Sequence, residues 1–110
     1  ERVYVQRPIF EKFVAALKGQ AEAMTPGRPF DKATKIGPIV SKVHQKKVLG
    51  LYQKAKEEGA TIVTGGGIPE MPADLRDGCW VQPTIWTGLP ETATVVTEEI
   101  FGPCCHISPF

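Results

Sequence analysis

The chain has 110 residues, the size of one small domain, and its 13 basic and 12 acidic side chains leave a formal charge of +1. Acids and bases are interspersed, so neither nucleic acid nor a membrane surface has an electrostatic reason to bind it. No apolar run approaches the length that spans a bilayer, and three cysteines without metal-ligand spacing argue for a reducing, cytoplasmic setting over a disulfide framework or a zinc site.

In chain order, Val3-Tyr4-Val5 reads as a short strand closed by Arg7-Pro8. A helix follows, because Phe10, Phe13, Val14, Leu17, Ala21 and Met24 recur at i, i+3, i+4 spacing and share one face. Pro8 suits its start, where a missing N–H costs nothing. Thr25-Pro26-Gly27-Arg28-Pro29 ends it, and residues 25 to 40 form an ordered loop rich in Pro and Gly. Ser41 suits the N-cap of a second helix running to about Glu58. Val48, Leu51, Tyr52 and Ala55 make its apolar face, and Gly59 is its stop.

Ala60 to Thr64 reads as a short buried strand centred on Ile62 and Val63, broken by Gly65-Gly66-Gly67. Ile68 to Gly78, with prolines and mixed charge, is a surface excursion. Trp80 to Trp86 is strand-like, with Pro83 confining it to an edge or a bend. Cys104 to Ile107 begins a further strand. This alternation of strands and helices indicates an α/β fold without internal repeats.

Between those last two strands lies Glu98-Glu99-Ile100-Phe101-Gly102-Pro103. A solvated acidic turn would rarely carry Ile and Phe directly after the acids, and a buried strand would rarely carry the acids. The mixture suits a site wall, where a carboxylate grips hydroxyl groups and a ring packs flat against a ligand. On residues alone Glu99 still reads as a surface acid at a turn, and Phe101 reads equally as a core ring. His44 and Lys47, three apart on one helix face, read as part of a solvated basic face. The three glycines are followed by Ile68-Pro69-Glu70-Met71-Pro72, which cannot open the helix a phosphate loop requires. Cys104 and Cys105 fall on an expected core strand, where thiols act as small hydrophobes. Cys79 has no basic neighbour in sequence, and His106 reads as a packing or surface histidine. No catalytic residue and no metal ligand is assigned within the chain.

Preceded by Pro83-Thr84-Ile85-Trp86 and Val95-Val96-Thr97, the acidic–aromatic run resembles a fingerprint of the aldehyde dehydrogenase superfamily. Arg2-Val3-Tyr4-Val5, Ile36-Gly37-Pro38-Ile39-Val40, and Glu57-Glu58-Gly59-Ala60 with Gly65-Gly66-Gly67 are similar to further segments of that family, in family order. The resemblance therefore covers essentially the whole chain. Trp80 to Leu89 and Cys105 to Phe110 look most like the branch acting on muconic semialdehydes.

The resemblance implies that residues 1–110 are a fragment of the α/β catalytic domain, with the dinucleotide-binding domain and the oligomerisation segment outside it. Such a fragment is expected to leave apolar faces and sheet edges uncovered and to be inactive by itself. For the intact protein it implies NAD as cofactor and a small-molecule aldehyde as substrate. That aldehyde is a muconic semialdehyde from aromatic ring cleavage, oxidised to a carboxylic acid by a homodimer or homotetramer. By the same resemblance Glu99 holds both hydroxyls of the ribose next to nicotinamide, and Phe101 contacts the nicotinamide ring. Lys47 and His44 match positions that reach the adenine-side ribose, with His44 standing where the family usually carries Gln. The nucleophilic cysteine is implied about four residues before Glu1, and the general base and oxyanion donor further upstream. Two alternatives stand beside this reading: another substrate such as betaine aldehyde, and a non-catalytic homologue that kept the fold without the nucleophile.

Overall fold

Side chains alternate between the two faces of a strand, and here both faces of the central strands are apolar. In the computed structural model, which describes residues 1–110, the strands are β1 (Arg2–Val5), β2 (Thr61–Thr64), β3 (Thr84–Thr87) and β4 (Cys104–Pro109). The helices are α1 (Phe10–Glu22), entered through a 3-10 turn at Arg7–Ile9, α2 (Lys42–Glu57) and the single turn α3 (Thr94–Thr97). One sheet of order β1-β4-β3-β2 joins the strands. β4 runs parallel between β1 and β3, and β2 is antiparallel to β3. The α/β reading holds, and helices cover both faces.

One face packs on α2 and α3. Val48, Tyr52 and Ala55 of α2 are buried against Trp86 of β3, together with Val95, Val96 and Ile100. The Tyr52 and Trp86 rings meet edge to face with centroids 5.8 Å apart. The Trp86 indole N–H has no hydrogen-bond partner there. On the opposite face α1 brings Ala21, with half-buried Phe10, Val14 and Leu17, onto Val5, Ile85 and Ile107. Phe13 and Met24, expected on that buried face, are 37% and 43% exposed. Met24 lies beyond the end of α1. Phe13 instead joins Val3, Tyr4, Ile9 and Phe110 along an open apolar surface beside β1.

The caps follow the residue chemistry. Ser41 Oγ accepts from the His44 amide at 3.1 Å, as an N-cap should. Glu58, just past α2, turns its carboxylate to the Thr94 and Val95 amides at 3.0 and 3.4 Å. It thereby caps α3, which has no side-chain cap of its own. Hydrogen bonding from Thr94 holds the Glu58 carboxyl below its ordinary range.

Two strand expectations are corrected. β2 is half buried, not buried, because it is one of the sheet's two edge strands. Of Trp80 to Trp86, only the residues from Thr84 onward pair, and the strand they form is central. Pro83 has no N–H to donate, so the ladder starts one residue later, with the Thr84 amide on the Pro103 carbonyl at 2.9 Å. Trp80 is buried outside the sheet, its indole donating to the Leu75 carbonyl at 2.6 Å. Gly65 sits where this crossing is tightest. Its φ is +77°, and a Cβ there would collide with the Pro83 carbonyl oxygen. No helix is long and apolar enough to cross a membrane.

Candidate functional site

The loop from Glu98 to Pro103 joins α3 to β4 and resolves the mixture of acids and apolar residues that marks it in sequence. Ile100 is fully buried while Glu98, Glu99 and Phe101 on either side of it stay exposed. Burying that one side chain contributes about 1.5–3 kcal/mol and anchors the loop. Gly102 lies against α2 so closely that a Cβ would stand 2.7 Å from Val48 Cγ1. The loop backbone therefore packs on the helix with nothing between them.

Phe101 is the only non-glycine residue with positive φ, at 60°. For a bulky side chain that conformation costs about 1–3 kcal/mol and persists only where neighbours enforce it. They do. The amides of Ile100 and Phe101 donate to the two carboxylate oxygens of Glu1, each at 2.9 Å. His44 Nε2 donates to the Phe101 carbonyl at 2.7 Å, so this ring nitrogen carries a hydrogen. Lys47 Nζ donates to the Glu99 carbonyl at 3.2 Å, and the Arg2 guanidinium to the Val96 carbonyl at 2.7 Å. Glu1, just before β1, and α2 thus both grip the loop backbone, while Arg2 of β1 holds the preceding turn α3.

A cleft of about 330 Å³ opens beside this loop, lined by Glu1, Arg2, Thr97, Glu98, Glu99 and Phe101 over a floor of Val95 and Val96. The chain's two ion pairs, Lys18–Glu22 and Arg28–Asp74, lie elsewhere, which leaves the Glu99 carboxylate free. Two acceptor oxygens suit a pair of vicinal hydroxyls. The Phe101 ring, 66% exposed, offers a flat apolar surface next to them. The pair fits a sugar carrying a flat heterocycle.

All four residues singled out in the sequence thus come to one loop, by different routes. Glu99 and Phe101 line the cleft with their side chains. His44 and Lys47 reach the same loop from α2 and engage its carbonyl oxygens. Glu1 and Arg2 were not legible as site residues. Glu1 stands 99 and 100 positions from the amides it binds, and only the parallel pairing of β1 with β4 brings them together.

Cys104, Cys105 and His106 are tied up in packing. Burial pushes the Cys104 thiol up to about 12 and raises Cys105 as well, so neither is a ready thiolate. His106 is buried on β4 and held below its ordinary value by that burial, with Nε2 accepting from the Leu89 amide at 3.4 Å. It is a packing histidine. No group of three or more His, Cys, Asp or Glu side chains converges as a metal site would require.

Over residues 1–110 the chain matches the aldehyde dehydrogenase family, and it belongs to that family. It is 64% identical over its full length to a 2-hydroxymuconic semialdehyde dehydrogenase of Pseudomonas sp. (strain CF600), of which it covers 23%. It is 46% identical to a 2-aminomuconic 6-semialdehyde dehydrogenase of Pseudomonas sp., covering all of this chain and 22% of that one. Among solved structures, betaine aldehyde dehydrogenase from Staphylococcus aureus in complex with NAD+ superposes with a TM-score of 0.93 at 38% identity, over 99% of this chain and 22% of the other. The chain thus spans under a quarter of the length of these relatives.

Proposed function

We propose that these residues are part of the catalytic domain of an NAD-dependent aldehyde dehydrogenase that oxidises a muconic semialdehyde to the corresponding carboxylic acid. The observation that carries this is the pairing of a free, exposed carboxylate at Glu99 with the exposed ring of Phe101 on a rigidly held loop. In this reading Glu99 accepts hydrogen bonds from both hydroxyls of the nicotinamide ribose. Phe101 forms an apolar wall that restricts the heterocycle and keeps water away. NAD, when bound, supplies the hydride acceptor. His44 and Lys47 hold the loop backbone from α2, and the second ring nitrogen of His44 and the other ammonium hydrogens of Lys47 are left for the adenine-side ribose. The nucleophile, about four residues before Glu1, follows from the family pattern. The higher identity to the 2-hydroxymuconic enzyme, 64% against 46% for a betaine aldehyde dehydrogenase of Agrobacterium fabrum, supports the choice of substrate. The same family reading extends to a cytoplasmic homodimer or homotetramer.

The test uses the full-length protein. Its kcat/KM with NAD is expected to be far higher for 2-hydroxymuconic semialdehyde than for betaine aldehyde, and the reverse preference overturns the substrate assignment. Glu99→Gln keeps the size but replaces one acceptor oxygen by a donor. It is expected to lower kcat about tenfold, equivalent to about 1.4 kcal/mol. Unchanged kcat together with unchanged KM for NAD overturns the role of Glu99.

A further inference from the structure

The left-handed peptide at Phe101 is held by side chains at both of its polar atoms. A carboxylate takes its N–H together with the preceding one, and an imidazole takes its C=O. We infer that Glu1 and His44 are positioning residues: they lock the Phe101 peptide in its left-handed conformation, so that Glu99 and Phe101 present their side chains to one cleft. This rests on the reading of Glu99 and Phe101 as a nicotinamide-ribose clamp.

The chemistry of the two contacts is specific. Two successive amides, each 2.9 Å from a different oxygen of one side chain, need two acceptors, and of the side chains only a carboxylate offers two equivalent ones. A carbonyl can only accept, so the group opposite it must donate, which an imidazole N–H or a side-chain amide can do. Glu1 is itself pinned: its carbonyl accepts from the His106 amide at 2.8 Å, the bond that opens the β1–β4 ladder at the Arg2 and His106 pair. One residue therefore couples the strand that follows the proposed nucleophile to the loop that carries the proposed cofactor clamp. Fixing the two relative to each other is the positioning that hydride transfer needs.

The experiment measures NAD affinity and kcat in the full-length enzyme carrying Glu1→Ala, Glu1→Gln, His44→Ala or His44→Gln, with Glu99→Gln in parallel. Glu1→Ala and His44→Ala are expected to raise the Kd for NAD about tenfold and to lower kcat several-fold. His44→Gln, which keeps a donor, is expected to return both to within about twofold of wild type. Should Glu1→Ala fail to fold, the isosteric Glu1→Gln takes its place; it turns a donor toward an amide and is expected to show the same defect. Wild-type Kd and kcat in folded Glu1→Gln and His44→Ala, or a His44→Gln enzyme as impaired as His44→Ala, overturn the inference. If Glu99→Gln is impaired while those variants are not, only the positioning role fails. If Glu99→Gln is itself unaffected, the clamp fails and this inference with it.

Discussion

The two faces of the sheet are built from the same kinds of residue but reach different degrees of closure. On the α2 face ten buried residues form one cluster, with Val48, Ala55, Trp86 and Ile100 fully enclosed. On the α1 face only Val5, Ala21, Ile85 and Ile107 are buried, and Ile9, Phe13 and Phe110 remain open beside them. The candidate site lies on the closed side. Its loop carries an unfavourable backbone conformation, and such conformations survive where the surroundings over-determine them. The enclosed core under Ile100, the contact of Gly102 with Val48, and the polar grips of Glu1 and His44 provide that. The open side is a face suited to being covered by further chain.

The largest expected effect contrasts the two faces directly. In the full-length protein Trp86→Ala is expected to lower stability by about 3–5 kcal/mol, as truncation of an enclosed aromatic does. Phe13→Ala is expected to cost about 1 kcal/mol or less if its surface stays open, and denaturant midpoints report both. A loss at Phe13 matching that at Trp86 would show that the α1 face is enclosed in the intact protein, and the contrast would then belong to this segment only.

A smaller effect is expected at Gly102. Gly102→Ala drives a methyl group into Val48, and overpacking of this kind costs about 1–3 kcal/mol. Val48→Ala in the same protein should recover part of that loss, so the double variant is more stable than the sum of the two single changes predicts. Strict additivity would mean that helix and loop are not in contact.

The smallest is a pH dependence centred on His106. Burial favours its neutral form, so its folded-state value lies below the unfolded one near 6.5. The stabilisation is fully present above about pH 6.5 and is lost as pH falls through the lower, folded-state value. Denaturant midpoints should therefore drop on going from pH 7.5 to 5.5, and His106→Gln should drop less. An identical decline in both proteins would remove His106 from the account.

Legible in the sequence were the two long helices, the approximate strand positions and, through the family resemblance, the candidate loop. The i, i+3, i+4 spacing of Val48, Tyr52 and Ala55 dictates a helical face, Ser41 caps it, and the motif around Glu99 and Phe101 marks the candidate site. These are properties of neighbours along the chain, set by backbone geometry and side-chain type. Strand order, which face is enclosed, and the reach of Glu1 across the whole chain to the Phe101 amide were decided only by the tertiary structure. The reason is physical. Pairing of β1 with β4 joins the two ends of the chain, and neither the sheet register nor a carboxylate's partner 100 positions away leaves a periodic trace in sequence.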